Sequence, residues 1–305
     1  VTPLRCCQNP TASEEWARGW HPEYIDSKGS DDRILIVGAG PAGLECARAL
    51  GQRGYAVTLA EESKELGGRV ARECRLPGMS TWGRIRDYRV TQINKMANIE
   101  VFLDSRLATK DILEFSANRV VIATGAYWRR DGLGHHNWEP IKGSDGANVF
   151  TPDDIIAGTE LQGPVIVFDD DHYIMGSLMA EKLKADGHEV FLVTSVGDVS
   201  KWTAYTEEQH RIQAHILKLG IKVLFHRNIV SIDSDKVELT DVYIDDHEEI
   251  PCGSVVLVTS RLPEEALYLD LRSDEDVVRA RGIKSVTRIG DCLGPGTTAS
   301  ALFSG

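Results

Sequence analysis

The chain has 305 residues, of which 42% are hydrophobic and 26% charged, an ordinary composition for a globular protein with room for two domains. Its formal net charge of −12 argues against a nucleic-acid partner, because phosphate binding needs clustered lysine and arginine. Neither a membrane span nor a signal peptide is evident, and the six scattered cysteines suggest no disulfide framework, so we expect a cytoplasmic protein.

Residues 1–30 contain few periodic apolar positions and several turn formers, which predicts an extended arm. The chain starts with Val1 and stops at Gly305, inside an expected helix that begins near Thr297. We therefore expect it to be a piece of a longer protein.

The most informative segment follows this arm. A predicted strand at 33–37 leads into glycines spaced G-x-G-x-x-G and then into a predicted helix at 41–53. The first glycine permits a tight turn, the second lets a pyrophosphate approach the backbone, and the third lets the helix pack closely on the strand. The N–H groups at the start of the helix would face the anion. The loop residues of this predicted dinucleotide site are Gly38, Ala39, Gly40, Pro41, Ala42 and Gly43.

A second strand is predicted at 56–60 and ends at Glu61, with Glu62 beside it. This position lies about 20 residues beyond the glycines, where an acidic side chain accepts hydrogen bonds from an adenosine ribose. The spacing therefore strengthens the assignment to a dinucleotide site, and we include both acids in it.

A helix over 81–97 and strands over 99–103 and 119–123 are predicted next. The apolar residues of the helix recur at spacings that form one stripe, which favours core packing over a ligand surface. The residues of this stripe are Trp82, Ile85, Tyr88, Ile93 and Met96.

A second unit is expected after the polar stretch 143–163. A strand at 165–168, a helix at 173–186 and a strand at 189–193 form a βαβ unit, which predicts a parallel sheet with a right-handed crossover. A helix over 205–219 and short strands near 221–240 complete this unit.

Strands at 254–258 and 286–289 are predicted to return to the first sheet. The fold class is therefore α/β, with a Rossmann-like FAD/NAD(P)-binding fold. We expect a nucleotide-binding domain of 31–150 plus 260–305, into which a second nucleotide-type domain of 151–259 is inserted.

In the second unit the glycine loop is replaced by Asp169–Gly176. Side chains would fill the space of a pyrophosphate, and carboxylates would repel it by roughly 4 kcal/mol per pair near 4 Å at an effective dielectric of about 20. One aspartate is expected to cap the following helix. A divalent metal at Asp169–His172 is disfavoured, because adjacent residues rarely converge on one ion. We predict that this domain does not bind a dinucleotide.

Further motifs are distributed over essentially the whole chain. They are Cys6–Pro10, Glu14–Trp16, Arg18–Pro22, Val37–Gly43, Leu66–Gly68, Trp82, Arg86–Arg89, Ile122–Gly125, Ala180–Leu183, Gly187–Val190 and Ile289–Asp291. In these motifs the chain resembles the C-terminal half of the trimethylamine dehydrogenase family, which includes dimethylamine and histamine dehydrogenases and is related to dienoyl-CoA reductase. The arm and the altered second loop point to the amine dehydrogenases, whereas the other signatures are common to many flavoproteins.

The resemblance implies a modular oxidoreductase. An N-terminal (β/α)8 barrel, absent from this sequence, would carry a covalently bound FMN and oxidise a small amine. A [4Fe-4S] cluster would pass electrons to an electron-transferring flavoprotein. The C-terminal half would hold ADP where related flavoproteins hold FAD, and the resemblance suggests a homodimer. No catalytic residue is assigned in this chain, because the amine site belongs to the barrel.

Individual roles also follow from the resemblance. Cys6 matches the fourth ligand of the cluster, although one thiolate cannot hold four irons by itself. Cys7 has no assigned role. The remaining cysteines are expected to be small buried packing residues: Cys46, Cys74, Cys252 and Cys292.

Gly67 and Gly68 match a loop that closes over ribose and phosphate. Arg69 follows and either pairs with a phosphate or is an exposed surface residue. Thr124 and Gly125 match the turn that links the domains. Further predicted contacts are Leu107, placed beside the adenine, and Asp291, which in FAD-binding relatives contacts the ribityl chain and with ADP would be a structural relic.

Three hypotheses follow. The first is a non-catalytic, ADP-binding half of an iron–sulfur amine dehydrogenase. The second is a working FAD/NAD(P)H reductase portion of a dienoyl-CoA reductase-like enzyme, which would need an open second loop. The third is an architectural or docking element in which ADP is a permanent structural filler.

Overall fold

The structure is a computed structural model that describes residues 6–14 and 25–305, so the predicted motif Arg18–Pro22 and most of Glu14–Trp16 lie outside the described residues. The chain divides into two compact units, one extending to Ala126 and including Pro263–Gly305, the other Tyr127–Leu262. The first break thus follows Ala126, earlier than the polar stretch at which the sequence suggested it.

The strands of the described chain are short and mostly apolar. In chain order they are β1 (Arg33–Val37), β2 (Ala56–Ala60), β3 (Ile99–Phe102), β4 (Arg119–Ile122), β5 (Ala126–Trp128), β6 (Val149–Phe150), β7 (Val165–Asp169), β8 (Val190–Thr194), β9 (Lys222–Leu224), β10 (Arg227–Ile232), β11 (Lys236–Asp241), β12 (His247–Pro251), β13 (Ser254–Val258), β14 (Arg261–Pro263) and β15 (Ser285–Arg288).

The α-helices of the described chain are mostly short. They are α1 (Pro41–Arg53), α2 (Gly68–Glu73), α3 (Gly83–Ile93), α4 (Thr109–Glu114), α5 (Pro152–Ile156), α6 (Met175–Ala185), α7 (Gln209–Lys218), α8 (Ala266–Ser273), α9 (Glu275–Ala280) and α10 (Thr298–Ser304). Short 3₁₀ helices at Ser80–Trp82, Lys201–Thr206 and Gly290–Cys292 complete the described elements. Among the described helices, none is both long and apolar enough to cross a membrane.

The first unit is built on a parallel sheet with strand order β15-β4-β1-β2-β3. Successive side chains of β1 point to opposite faces of this sheet. Ile34 and Ile36 pack with Leu44 of α1 on one face, while Leu35 and Val37 belong to a separate apolar cluster on the other. Because β1 is buried on both faces, its sequence is a continuous apolar run, as is usual for central parallel strands.

The second unit contains a parallel sheet with strand order β6-β13-β7-β8-β9 and an antiparallel sheet β10-β11-β12. The prediction that strand 254–258 returns to the first sheet is wrong, since β13 pairs with β7 in the second. Its five residues are all buried, and such a run fits the interior of either sheet equally well. β15 does join the first sheet, as predicted, beside β4.

The helix predicted at 81–97 is shorter in the structure, where a 3₁₀ turn precedes α3 and α3 ends at Ile93. Ile85 and Ile93 are buried as predicted, but Tyr88 is 46% exposed. The apolar stripe is therefore wrong at Tyr88, and Met96 lies beyond the helix end.

Candidate nucleotide-binding site and the altered second loop

The phosphate loop joins β1 to α1, and its three positions differ in why glycine is present there. Gly38 has φ +100°, and a Cβ there would lie 2.4 Å from the carbonyl oxygen of Ala123. A Cβ on Gly43 would lie 1.9 Å from the Gly38 oxygen. Gly40 has an ordinary φ of −68°, and a Cβ there would meet no atom of the described residues within 4 Å. The fold thus requires Gly38 and Gly43, whereas Gly40 leaves open space beside the backbone.

A second glycine pair forms the opposite wall of this space. The N–H of Gly67 donates to the carbonyl of Ala39 over 2.9 Å, and a Cβ on Gly68 would lie 2.9 Å from the Cα of Gly40. The backbone of Gly67 and Gly68 therefore faces the backbone of Ala39 and Gly40, and the absence of side chains at the three glycines allows a ligand to approach closely.

Helix α1 begins at this space. Pro41 is its first residue, Gly40 provides no side-chain cap, and the described first turn contains no acidic residue. The unsatisfied N–H groups and the positive end of the helix dipole are consequently available to an anion.

Glu61 is buried at the end of β2, beside the loop. Its Oε2 accepts the N–H of Ala39 at 2.7 Å, and its Oε1 accepts the N–H and hydroxyl of Ser63 at 3.0 and 2.7 Å. The carboxylate is thereby fixed, and the remaining lone pair of its Oε2 can accept a hydrogen bond from a ribose hydroxyl.

The other residues predicted on this side are less constrained. Glu62 is exposed, with Oε2 3.8 Å from Nε of Arg106. Leu107 is half-buried and packs against the cluster that includes Leu35 and Val37. These contacts give neither residue a defined orientation toward a nucleotide.

Arg69 lies on α2 directly after Gly68. Its Nη1 is 3.1 Å from Oε1 of Glu73, and its Nη2 donates to the carbonyl of Ala126 at 3.1 Å. The side chain is 15% exposed, so the alternative of an exposed surface arginine is wrong. In the first sheet, β4 and β2 lie on opposite sides of β1. Ala126 follows β4 and Glu61 follows β2, so the Arg69–Ala126 bridge and Glu61 lie on opposite sides of β1.

Thr124, Gly125 and Asp291 contact neighbouring backbone of the same unit. The Thr124 hydroxyl donates to the carbonyl of Glu264 at 2.5 Å, and the Glu264 N–H donates to the carbonyl of Gly125 at 2.9 Å. Oδ1 of Asp291 accepts the N–H of Gly296 at 3.1 Å. Each of these contacts stabilises a turn of the protein itself.

Cys6 lies in a tight turn whose backbone favours the thiolate. Its Sγ accepts N–H groups from Gln8 at 3.4 Å and Asn9 at 3.5 Å. The hydrogen bond from Asn9, followed by that from Gln8, lowers the pKa of this thiol. A thiolate is the form that binds metals, so the environment of Cys6 suits a metal ligand.

Arg89 connects this turn to the core of the first unit. Its guanidinium is completely buried, with Nε 2.7 Å from Oε2 of Glu45. It also donates to the carbonyls of Ile85 at 2.9 Å and Gln8 at 3.1 Å. Burial lowers the pKa of Arg89, while the charge of Glu45 opposes that shift.

The other cysteines differ from Cys6. Cys7 packs against Val70, Ile85 and Leu302, and burial raises the pKa of its thiol. Of the remaining cysteines, which were expected to be buried, Cys46, Cys252 and Cys292 are, whereas Cys74 is partly exposed.

In the second unit, the loop between β7 and α6 is filled by a carboxyl group. Asp169 is buried, and a Cβ on Gly176 would lie 2.4 Å from its Cγ. Burial, followed by the charge of Asp171, raises the pKa of Asp169 well above its usual range. Its Oδ1 accepts the N–H of His172 at 2.9 Å. The prediction that an aspartate caps the helix is wrong, because within the described chain α6 has no side-chain cap.

The three consecutive aspartates are not electrostatically equivalent. Burial opposes ionisation of Asp170, but hydrogen bonds from His172 and from the backbone N–H of His136 hold its pKa at about 2. Burial raises the pKa of Asp171. Burial therefore favours the neutral forms of Asp169 and Asp171, whereas hydrogen bonds favour the charged form of Asp170.

Asp170 also contacts residues that are distant in sequence. His136, His172 and Ser195 approach its Oδ1 within 3.0, 3.2 and 3.0 Å respectively. Sequence reasoning missed His136 and Ser195. A signal did exist for Ser195, because it follows β8 while Asp170 follows the adjacent β7, and the carboxyl ends of parallel strands meet at one edge.

Residues 32–305 match the pyridine nucleotide-disulphide oxidoreductase family. Dimethylamine dehydrogenase of Hyphomicrobium sp. (strain x) is 38% identical over 99% of this chain and 45% of its own length. Among solved structures, histamine dehydrogenase from Rhizobium sp. 4-9 has a TM-score of 0.95 and 46% identity, covering 98% of this chain and 47% of that one.

A second solved structure, 6-hydroxypseudooxynicotine amine oxidase from Pseudomonas geniculata N1, has a TM-score of 0.94 and 42% identity over 99% of this chain and 45% of that one. The chain thus spans less than half the length of these relatives. The resemblance to amine dehydrogenases and the α/β nucleotide-binding fold, both predicted from sequence, are confirmed.

Proposed function

Because this chain belongs to the pyridine nucleotide-disulphide oxidoreductase family and aligns along its length with amine dehydrogenases, we propose that it is the ADP-binding, non-catalytic portion of such an oxidoreductase. The observation that carries the proposal is the contrast between the two loops that follow β1 and β7. The first leaves backbone bare around Gly40, whereas the second is filled by the buried carboxyl of Asp169.

The residues around the first loop have complementary roles in binding. The diphosphate lies against Gly40 and the N-terminus of α1, where N–H groups and the helix dipole stabilise negative charge. Glu61 accepts a hydrogen bond from the ribose, and its contact with Ala39 holds the acid beside the phosphate loop. Neither role involves a bond being made or broken, so the nucleotide contributes stability and not chemistry.

Arg69 supports ADP over FAD as the ligand. A dinucleotide that enters with its ribose at Glu61 must continue past the diphosphate, toward the β4 side of β1. The Arg69–Ala126 bridge occupies that side. A ligand that ends at the diphosphate leaves the bridge intact and places its terminal phosphate near a guanidinium, which recognises phosphate well.

The thiolate-favouring turn of Cys6 fits one ligand of a [4Fe-4S] cluster. Its sulfur accepts two N–H hydrogen bonds, and such bonds help to set the potential of clusters. In the proposed longer protein, Cys6 supplies one of four thiolates, and the cluster would supply one-electron transfer. Arg89 orients the turn through the carbonyl of Gln8.

Four further features of the proposed oxidoreductase rest on the family resemblance and the sequence, not on the residues of this site. They are an FMN-containing barrel that oxidises a small amine, an electron-transferring flavoprotein as acceptor, a homodimeric assembly and a cytoplasmic location. All four stay predictions from the family resemblance and the sequence.

Calorimetric titration of the nucleotide-free chain with ADP, FAD and NADPH tests the proposal. We expect one ADP per chain, weaker binding of FAD and undetectable binding of NADPH. Arg69→Ala should narrow the preference for ADP over FAD at least about tenfold, since loss of a charge-assisted hydrogen bond costs roughly 1.5–3 kcal/mol. Arg72→Ala, at an exposed position of the same helix, is the matched control.

Two outcomes would contradict the proposal. If FAD binds the wild-type chain more tightly than ADP, the ligand is a complete flavin dinucleotide. If NADPH binds and bleaches an added flavin in stopped-flow experiments, the chain is a working reductase of the dienoyl-CoA reductase type.

A further inference from the structure

Four polar atoms converge in the second unit, at the carboxyl ends of β7 and β8. They are Nδ1 of His136, Oδ1 of Asp170, Nε2 of His172 and Oγ of Ser195. The carboxylate and the ring of His172 are almost fully buried, with exposures of 0% and 2%, while the side chain of His136 is 41% exposed. Parallel nucleotide-binding sheets place ligands at this edge.

The six distances among these atoms are nearly equal. His136 Nδ1 lies 3.0 Å from Asp170 Oδ1, 3.4 Å from His172 Nε2 and 2.8 Å from Ser195 Oγ. His172 Nε2 lies 3.2 Å from the same carboxylate oxygen and 3.3 Å from Ser195 Oγ, which is 3.0 Å from that oxygen. A tetrahedral zinc site with bonds of about 2.0 Å has ligand–ligand edges of about 3.3 Å. The four atoms therefore have the spacing of a tetrahedral coordination shell.

A proton relay would have a different geometry. In a Ser-His-Asp triad, the serine and the carboxylate contact opposite nitrogens of the imidazole. Here both Ser195 and Asp170 contact the same nitrogen of His136, Nδ1. The two imidazole nitrogens also face each other at 3.4 Å. One central cation would be shared by all four atoms, whereas hydrogen bonds cannot be directed along all six close pairs.

The groups behind the four atoms are arranged as an outer shell. Oδ2 of Asp170 accepts the backbone N–H of His136 at 2.9 Å. Nδ1 of His172, which points away from the cluster, lies 3.4 Å from the hydroxyl of Thr194. His172 also adopts φ +59°, a left-handed conformation that is uncommon outside glycine. Such second contacts fix the rotamers and tautomers of metal ligands.

We propose that this chain binds one divalent zinc-type cation through His136, Asp170, His172 and Ser195. Two imidazoles favour zinc and its first-row neighbours over magnesium or calcium, which prefer oxygen ligands. The carboxylate neutralises part of the charge, and the serine hydroxyl completes the tetrahedron. With four protein ligands the site is closed, and its role is structural.

The proposed ion has a definite structural effect within the second unit. It links the 131–137 segment, through His136, to the residues that follow β7 and β8. The strand-end crevice would then be stabilised by a metal in a domain whose loop is filled by Asp169. The half-exposed ring of His136 provides the route by which the ion enters.

Metal analysis and titration of the whole chain test this site. Accessible cysteines are first alkylated, because thiolates such as that of Cys6 also bind zinc. Zn²⁺ is then titrated in competition with a chromophoric chelator, using wild type, His136→Ala, Asp170→Asn and the control His210→Ala, whose histidine is exposed on α7. We expect one Zn²⁺ per chain for wild type and control. Each ligand variant should bind at least about 100-fold more weakly, since loss of an outer-shell partner alone costs 10- to 100-fold.

Substitution with Co²⁺ provides the second readout. We expect the intense visible bands of tetrahedral cobalt without a thiolate charge-transfer band, and a melting temperature that rises on metal addition in wild type but not in His136→Ala. Circular dichroism verifies that His136→Ala, altered at a half-exposed position, remains folded. Equal zinc affinity in wild type and His136→Ala, a weak octahedral cobalt spectrum, or the absence of stoichiometric zinc binding would each overturn the proposal.

Discussion

The substitution Gly40→Ala tests whether the phosphate loop needs a glycine at this position for nucleotide binding or for folding. A Cβ at Gly40 meets no described protein atom within 4 Å, and its φ of −68° suits alanine. The loss of a favourable N-cap residue costs about 0.5 kcal/mol, and the reduced entropy of the unfolded chain offsets it by roughly 0.4–1 kcal/mol. We therefore expect the free energy of unfolding of the nucleotide-free chain to change by less than about 0.5 kcal/mol.

Nucleotide binding should respond much more strongly than stability. The new methyl group stands where the diphosphate approaches the backbone, and overpacking of this kind costs roughly 1–3 kcal/mol. At 1.4 kcal/mol per tenfold change, ADP affinity should fall about 5- to 150-fold. Isothermal titration calorimetry measures the affinity, and urea unfolding of the nucleotide-free chain measures the stability.

Two further alanine variants make this comparison decisive. Gly29→Ala is the matched control, because its Cβ would meet only the Tyr55 hydroxyl, at 4.0 Å, among the described residues; it should leave ADP affinity unchanged. Gly43→Ala should destabilise the fold itself by roughly 3 kcal/mol or more, since its Cβ would lie 1.9 Å from a carbonyl oxygen. If Gly40→Ala bound ADP like wild type, the diphosphate would not lie at this loop and the reasoning would be refuted.

Three further predictions concern the first unit. Arg89→Ala should lower the free energy of unfolding by roughly 1.5–3 kcal/mol in urea titrations, because it removes buried charge-assisted hydrogen bonds to Glu45 and to the carbonyls of Ile85 and Gln8, while Arg48 stays paired with Glu45; a loss no larger than that of the exposed Arg84→Ala would contradict this. Asp32 is held by Lys284 and Arg119, which lower its pKa from 3.8 to about 2. Since its folded-state pKa is depressed, Asp32 stabilises the fold above pH 4, and the wild-type advantage over Asp32→Asn in urea midpoint should shrink as the pH falls below about 4 and disappear near pH 1, below both pKa values; an advantage that does not shrink between about pH 5 and pH 2 would exclude this origin. Iodoacetamide should alkylate Cys6 faster than its neighbour Cys7 at neutral pH, as followed by peptide mass spectrometry, because their thiol pKa values shift in opposite directions; the reverse order of rates would show that the turn does not favour the thiolate.

The first loop could be predicted from sequence because its determinants are local. Gly38, Gly43 and the apolar runs on both sides of them are adjacent in the chain, and β1, α1 and β2 have the predicted bounds. The ribose-binding role proposed for Glu61 rests on one fixed spacing. The structure adds its hydrogen bonds from Ala39 and Ser63.

Features that depend on long-range pairing were not predictable in the same way. The run Ser254–Val258 was recognised as a strand, but its apolar pattern carries no information about which of two buried sheets it joins. The cluster around Asp170 depends on His136, 34 residues before it, and Ser195, 25 residues after it. The sequence argument on metal binding considered only Asp169–His172, because His136 and Ser195 are too distant in the chain to form a motif with them.

Native mass spectrometry of the intact chain, offered ADP, FAD and NADPH together, shows directly which nucleotides the chain binds and how many. We expect a single bound species, one ADP per chain, because the loop at Gly40 is open while the loop at Asp169 is filled. A bound FAD, or a second nucleotide on the same chain, would contradict it.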